Sequence, residues 1–208
     1  MKKLIISVVA ILAMSSNVFA TQYNDVDKEA WYSENIQYVT NKGIMSGTTE
    51  GNFEPNTYMT RSMFVSILYR LTDNKSVDTE VSFIDVDKDS WYYEPLRWAY
   101  SRAIIFGEDD LTFGPEEAIT REQMITLLYR FVRNDSYDKV SMVEINDLKI
   151  KNFEDFDEIS SDEAVKAVEW AYLSGLVQGN ENMILPKSKI TRAEVAAIME
   201  RFDKEYGS

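Results

Sequence analysis

Three arginines of this chain occupy a place where a helix disfavours a cation: Arg61, Arg121 and Arg192. Each directly follows a threonine, a favoured N-cap residue, so each arginine is expected at the first helical position. A cation there faces the positive end of the helix dipole, at a cost of roughly 0.3–1 kcal/mol. A carboxylate or phosphate bound at the helix start would gain from free backbone N–H groups and from the guanidinium donors. The placement indicates up to three anion-binding sites.

Each arginine ends a motif that the chain contains three times. A copy begins with an aromatic-x-Asp sequence, passes through a turn that ends in glycine and an apolar-x-Pro step, and reaches the Thr-Arg pair. Corresponding residues lie 60 positions apart between the first two copies and 70–72 apart between the last two. A repeat of this length is one supersecondary unit that buries its apolar face on its neighbours. We predict repeats at 21–71, 83–131 and 153–208, with linkers at 72–82 and 132–152.

A structural explanation of the three arginines stays open. Each would pair with an acid of an adjacent repeat, for which Asp25, Asp85 and Asp155 are candidates. Ion pairs within a protein and arginines that hold a ligand look alike in a sequence. Three more arginines lie near the opposite ends of the same predicted helices: Arg70, Arg130 and Arg201. We interpret these by the helix dipole alone, because it favours a cation at the C-terminus.

Two helices are predicted in each repeat. The segment after each Thr-Arg pair has apolar residues at i, i+3, i+4 and i+7, as a helix with one buried face requires. A shorter apolar pattern of the same kind precedes each glycine turn. Capping-box spacing occurs at three places: Thr120 with Gln123, Thr191 with Glu194, and Ser160 with Glu163. The fold class is therefore predicted as all-α, with three helix-loop-helix repeats around a shared core.

The first twenty residues have the pattern of a secretory signal peptide. Lys2 and Lys3 precede an apolar run at 4–14 and a small-residue end at Ala20, so we expect export and a mature chain from Thr21. The run is shorter than the ~20 residues that span a bilayer. Without those two lysines, 20 basic residues face 35 acidic ones, a net charge of −15. Such a charge disfavours nucleic acid and anionic lipid as partners.

Absent residue types narrow the chemistry further. The sequence has no cysteine and no histidine, which excludes disulfides, thiolate metal sites and Ser-His or Cys-His nucleophile pairs. Asp85, Asp87 and Asp89 resemble the start of a calcium loop, but Ser90 and Leu96 stand where that loop requires glycine and glutamate. We expect no metal, no cofactor and no catalytic residue. A glycosidase with two carboxylates is the enzyme alternative.

Together these motifs resemble the S-layer homology domain. The resemblance rests on Asp25-Val-x4-Trp31-Tyr32 and its second copy, on the apolar-x-Pro steps, and on Ile190-Thr191-Arg192-Ala193-Glu194. It covers essentially all of the chain after residue 20. It implies a pseudo-threefold prism around a central helical bundle and non-covalent attachment to the bacterial cell wall. The implied ligand is an anionic secondary wall polysaccharide, typically pyruvylated, or else peptidoglycan.

The same resemblance implies a ligand groove between adjacent repeats, in which the arginine meets the acidic ketal of a sugar. By position it nominates Arg61, Arg121, Arg192, Asp25, Asp85, Asp155, Gly47, Gly107, Gly179, Trp98 and Trp170. We interpret Trp31 and Trp91 as packing residues, since aromatic side chains are more often buried than functional. Because the first repeat departs most from the Thr-Arg signature, the sites of Arg121 and Arg192 are expected to bind better than that of Arg61.

A second function class fits the same features. The chain would then be a structural or adaptor subunit of a surface layer that binds a partner protein. In either case the predicted location is the cell wall or cell surface after secretion, without a membrane anchor once the leader is cleaved.

Overall fold

A computed structural model describes residues 23–73, 75, 77–107, 111–134 and 149–207. The predicted leader at 1–20 and most of the linker at 132–152 lie outside the described residues. Within the described ranges the regular elements are six α-helices: α1 Ser33–Asn41, α2 Arg61–Leu71, α3 Tyr93–Ser101, α4 Arg121–Asn134, α5 Asp162–Leu173 and α6 Arg192–Tyr206. Two short 3-10 helices, Lys149–Asn152 and Phe156–Glu158, precede α5. The all-α prediction is confirmed.

Helices α2, α4 and α6 begin at the Thr-Arg pairs, as predicted. The Thr60 hydroxyl accepts a hydrogen bond from the N–H three residues later at 3.2 Å. In α4 the Gln123 N–H donates to the Thr120 hydroxyl at 3.3 Å, and the Thr120 N–H donates to the Gln123 side chain at 3.0 Å. Thr191 and Glu194 form the same reciprocal pair at the start of α6. The capping boxes predicted for α4 and α6 are confirmed.

The predicted cap of α5 is wrong by one residue. Ser161, not Ser160, is its N-cap and accepts from the Ala164 N–H at 3.2 Å. Glu163 is then the second residue of the helix, one short of the capping-box position, and its carboxylate binds Arg130 of α4 at 2.5 Å. The prediction failed because two adjacent serines precede the helix and only the backbone conformation selects between them.

Three extended segments close a ring around the centre of the molecule. The Met59 N–H donates to the Ile190 carbonyl at 2.9 Å, the Ile190 N–H to the Ile119 carbonyl at 3.2 Å, and the Ile119 N–H to the Met59 carbonyl at 2.9 Å. All three side chains are completely buried. Because each repeat donates to one neighbour and accepts from the other, the arrangement has the predicted pseudo-threefold symmetry.

The helices pair between repeats rather than within them. Helix α2 packs on α3, α4 packs on α5, and α6 packs on α1. Aromatic pairs fill the first two joints: the rings of Tyr69 and Trp98 lie 5.6 Å apart, as do those of Tyr129 and Trp170. No described helix is both long enough and apolar enough to cross a membrane. Each repeat thus completes the core of the next, and the last completes the first.

The joint between α6 and α1 is polar where the other two are aromatic. Tyr38 occupies the position of the buried tryptophans, and its hydroxyl donates to the Asp203 carboxylate at 2.8 Å. Lys42 lies 3.3 Å from the same carboxylate. The Asn35 amide donates to Glu200 at 2.6 Å. This joint is also the one that brings the first and last repeats together.

The Tyr38 hydrogen bond makes this joint sensitive to alkaline pH. The bond to Asp203 raises the pKa of Tyr38 from 10.0 to about 12. The raised pKa belongs to the folded state, so its stabilisation is complete below pH 10 and is lost as the pH rises from about 10 to about 12. We expect Tyr38→Phe to remove this part of the pH dependence. Measurement of the free energy of unfolding in urea between about pH 8 and 12, for the unmodified protein and for Tyr38→Phe, would test this expectation. The same pH dependence in both proteins would contradict it.

Candidate functional site

Three surface grooves lie between the repeats. Each is bounded by the glycine turn and second helix of one repeat and by the Thr-Arg arginine of another, and we number it after the repeat that provides the turn. Groove 1 has a volume of about 300 Å³ and is lined by Met45, Ser46, Gly47, Thr48, Met63, Ser66, Ile67, Arg70, Trp91 and Arg192. Groove 2, of about 290 Å³, includes Arg61, Phe106, Gly107, Gln123 and Arg130. Groove 3, of about 240 Å³, includes Trp31, Arg121, Gly179, Glu194 and Arg201.

The predicted glycines line the grooves, and at two of them a larger residue does not fit. A Cβ atom on Gly47 would overlap the Asn52 carbonyl oxygen. A Cβ atom on Gly179 would overlap the ring of Phe153, the aromatic residue that opens the third repeat. Gly107 occupies the same place in groove 2. In the first and third repeats, the aromatic residue that opens the repeat packs against the glycine turn. The absence of a glycine side chain permits that contact.

Substitution of Gly179 by alanine is expected to destabilise the protein by about 1–3 kcal/mol, because the added methyl group overlaps a packed ring. Gly175 provides the control. It has a φ of +69°, but no atom lies within 4 Å of the position that an added methyl group would take, so Gly175→Ala tests backbone strain alone. Urea denaturation of both variants would separate the two effects. Equal stability of Gly179→Ala and the unmodified protein would contradict the close approach.

The three predicted aspartates accept hydrogen bonds from backbone N–H groups. None of them is among the described residues that line the grooves. Asp25 accepts hydrogen bonds from the N–H groups of Phe53 and Glu54 at 2.8 and 2.7 Å. Asp85 and Asp155 make the matching bonds in their repeats at 2.6–3.1 Å. The ligand-binding role nominated for them is therefore not supported by their positions, and neither is pairing with the Thr-Arg arginines.

These carboxylates stabilise an unfavourable backbone conformation. The middle residue of each apolar-x-Pro step has a positive φ: 59° at Glu54, 69° at Gly114 and 60° at Leu185. Such a conformation is strained for a residue with a side chain. Hydrogen bonds to an ionised acceptor are worth about 1.5–3 kcal/mol, enough to offset that strain. The aspartates thereby fix the carbonyl groups that the arginines contact.

The helix-start N–H groups are already occupied, which corrects the mechanism expected from the sequence. The N–H groups of Arg192 and Ala193 donate to the carbonyls of Thr57 and Pro55, both at 2.9 Å. The starts of α2 and α4 receive carbonyls from the next repeat in the same way, at 2.9–3.0 Å. A ligand therefore cannot use these N–H groups. The neighbouring carbonyls also offset the positive end of each helix dipole, which explains why an arginine is tolerated there.

Two of the three arginine side chains donate to a backbone carbonyl of a neighbouring repeat. Arg192 donates from Nε to the Phe53 carbonyl and from Nη2 to the Ser46 carbonyl, both at 2.8 Å. Its guanidinium lies 4.6 Å from the centre of the Phe53 ring. Arg61 makes the same Nε bond and ring contact to Phe113, at 2.9 and 4.6 Å. Burial lowers the pKa of Arg192, although the guanidinium stays charged.

Arg121 differs because the third repeat lacks the phenylalanine. Ile184 stands at that place and offers no ring, and Arg121 instead pairs with Glu194 of α6, Nη2 to Oε1, at 2.8 Å. Glu194 also accepts from the N–H of Thr191 to complete the α6 capping box. The alternative of an internal ion pair is thus observed for Arg121, although its partner is a glutamate rather than one of the three aspartates.

The second set of arginines also reaches the grooves, which the dipole interpretation missed. Arg70, Arg130 and Arg201 line grooves 1, 2 and 3 respectively. Each lies nine residues after a Thr-Arg arginine, and nine residues at about 100° each place two side chains on opposite faces of a helix. One helix therefore sends its first arginine into one groove and its second into the adjacent groove. That spacing was visible in the sequence.

The tryptophans are distributed opposite to expectation. Trp98 and Trp170, nominated for ligand binding, are 0% and 2% exposed and belong to the core. Trp31 and Trp91, interpreted as packing residues, are 65% and 60% exposed and line grooves 3 and 1. Trp31 and Trp91 precede their helices, so helical periodicity gave no information about their burial.

Comparison with known proteins agrees with this architecture. The profile of the S-layer homology domain matches residues 22–62, 82–125 and 152–196, one match in each repeat. The chain belongs to the S-layer homology domain family. It is 32% identical to an amylopullulanase of Thermoanaerobacterium thermosulfurigenes over 178 residues, which are 85% of this chain and 9% of that enzyme.

Two further relatives have surface functions in their names. The S-layer protein sap of Bacillus anthracis is 24% identical over 188 residues, 89% of this chain and 22% of that protein. A cellulosome-anchoring protein of Acetivibrio thermocellus is 24% identical over 113 residues, 52% of this chain and 25% of that protein. The S-layer homology repeats of this chain thus span a quarter or less of the length of each of these three relatives.

Proposed function

We propose that the three repeats form a non-covalent cell-wall anchor and that groove 1 binds an acidic sugar of a wall polysaccharide. One observation carries the proposal. Groove 1 contains two guanidinium groups, Arg192 and Arg70, and none of the described residues that line it is acidic. The exposed ring of Trp91 lies in the same groove.

The geometry of Arg192 suits a carboxylate. Its bonds to the Phe53 and Ser46 carbonyls use two of five N–H donors and fix the plane of the guanidinium. The remaining donors form a planar fork that matches a carboxylate. Arg70 adds a second cation, held by one long bond of 3.4 Å to the Ile44 carbonyl. The two charges attract an anion despite the strongly negative net charge of the chain.

The surroundings of the two arginines suit a sugar ring. Trp91 is 60% exposed and offers an apolar face for stacking. The Gly47 turn lines the same groove, so its backbone lies within reach of a bound ring. A pyranose with a carboxylate on a ketal substituent would combine both contacts. We therefore propose a pyruvylated sugar as the ligand of groove 1.

Groove 3 is proposed as a weaker site of the same kind. It contains Trp31 and Arg201, but its Thr-Arg arginine is neutralised by Glu194. An incoming carboxylate would compete with that glutamate, which also stabilises the start of α6. Occupation of two grooves by one polymer would raise the overall avidity without any new contact.

Cosedimentation with purified cell walls tests the anchoring function. The protein is expected to pellet with intact walls, to be released by high salt, and to pellet much less with walls stripped of their polysaccharide. Salt sensitivity follows from the charges of the two arginines in groove 1. Equal pelleting with stripped walls would instead point to peptidoglycan or a wall protein as the partner and would overturn the polysaccharide proposal.

A further inference from the structure

Groove 2 has the same frame as groove 1 but different chemistry. The pseudo-threefold symmetry places Ser161 where groove 1 has Trp91 and groove 3 has Trp31. It also places Phe106 where the other two turns have Ser46 and Gln178. Groove 2 therefore takes its exposed aromatic residue from the glycine turn, whereas grooves 1 and 3 take theirs from the loop before a helix.

Two charged side chains that line groove 2, Arg130 and Glu122, are paired inside the protein. A third, Arg61, donates from Nε to the Phe113 carbonyl at 2.9 Å. The Arg130 guanidinium binds both carboxylate oxygens of Glu163, at 3.1 and 2.5 Å, and this contact lowers the pKa of Glu163. The buried Glu122 carboxylate binds Lys187 at 2.5 Å and accepts from the Ser160 hydroxyl at 2.6 Å. The residue that corresponds to Glu122 in the first repeat is the uncharged Ser62, so this acid is absent from groove 1.

Besides these charged side chains, groove 2 contains an aromatic ring and uncharged polar groups. Phe106 is 53% exposed, and the Arg130 guanidinium lies 4.7 Å from its ring centre. The Gln123 carbonyl oxygen is used by the Thr120 N–H, which leaves the amide NH₂ as a donor. The Ser161 hydroxyl oxygen accepts from a backbone N–H, so its proton is still available.

We propose that groove 2 binds an uncharged pyranose, such as a hexose or N-acetylhexosamine residue of a wall glycan. A ring with hydroxyl and amide substituents would stack on Phe106 and accept hydrogen bonds from Gln123 and Ser161. An acidic sugar is less favoured here than in groove 1, because Arg130 already pairs with Glu163 and the Glu122 carboxylate lines the groove. The inference rests on the proposed wall-binding function and assigns different sugars to grooves 1 and 2.

Calorimetric titration with the trisaccharide of N-acetylglucosamine, an uncharged probe, tests this assignment. We expect binding that does not change between low and high salt, and a loss of about tenfold in affinity for Phe106→Ala, equivalent to about 1.4 kcal/mol. Tyr58→Ala is the matched control: it removes an exposed aromatic side chain that lines none of the three grooves and should leave binding of the probe unchanged. Thermal unfolding of both variants verifies that each is folded.

Three results would overturn the assignment: no heat of binding, binding abolished by salt, or an equal loss in the two variants. Each is distinct from failure of the anchor, since wall binding through groove 1 would continue in Phe106→Ala. Pelleting with stripped walls identifies the source of the sugar. A Phe106-dependent interaction with stripped walls places it in peptidoglycan, whereas dependence only with intact walls places it in the polysaccharide, and both support an uncharged sugar.

Discussion

Replacement of Arg192 by glutamine is expected to weaken binding of an acidic wall saccharide by roughly 10- to 100-fold. Hydrogen bonds to charged groups contribute about 1.5–3 kcal/mol, and every ~1.4 kcal/mol is a factor of ten in affinity. Glutamine can still donate to the carbonyl of Phe53, so part of the bridge to the first repeat is retained. Calorimetry with the saccharide at low salt measures the change directly.

Arg61→Gln is the matched control for this experiment. Arg61 makes the same Nε bond and the same ring contact to Phe113 that Arg192 makes to Phe53. The two variants should therefore lose similar stability in urea denaturation, but only Arg192→Gln should lose acidic-ligand binding. Equal loss of binding in both variants would show that the arginines act by maintaining the fold rather than by contacting the ligand.

Replacement of Trp98 by alanine is expected to lower the free energy of unfolding by about 3–5 kcal/mol. The side chain is completely buried and contacts the rings of Tyr69 and Phe131 at 5.6 and 6.0 Å, so truncation leaves a large cavity between α2 and α3. Urea denaturation measures this loss. It is a large fraction of the stability of an ordinary domain.

Trp91→Ala provides the comparison, because it truncates the same side chain type at a 60% exposed position. Its stability is expected to change by less than about 0.5 kcal/mol, as for most surface positions. Binding of the acidic saccharide should fall, because the stacking surface of groove 1 is removed. A large stability loss in Trp91→Ala, or none in Trp98→Ala, would contradict the assignment of one tryptophan to the groove and the other to the core.

Local sequence signals predicted the fold well because the fold is built from local units. Apolar periodicity located α2, α4 and α6, and the threonines fixed where those helices begin. The repeat itself implied a shared core. The cap of α5 was misplaced, because Ser160 and Ser161 are adjacent and local patterns do not choose between them.

The candidate site was harder to predict because each groove is assembled from different repeats. Arg192 belongs to the third repeat but lies in a groove whose turn comes from the first and whose tryptophan comes from the second. The order of the repeats along the chain does not show which Thr-Arg arginine contacts which glycine turn. For the same reason the sequence did not show that Glu194 would neutralise Arg121, or that Asp25 would be used by the backbone.

The most direct measurement is a calorimetric titration of the protein with a wall-polysaccharide fragment before and after mild acid removal of its pyruvyl ketal. We expect the intact fragment to bind and the treated fragment to bind at least about tenfold more weakly, since the carboxylate contacted by Arg192 and Arg70 is gone. Equal affinity for the two fragments would contradict the proposal that paired arginines in groove 1 recognise an acidic sugar.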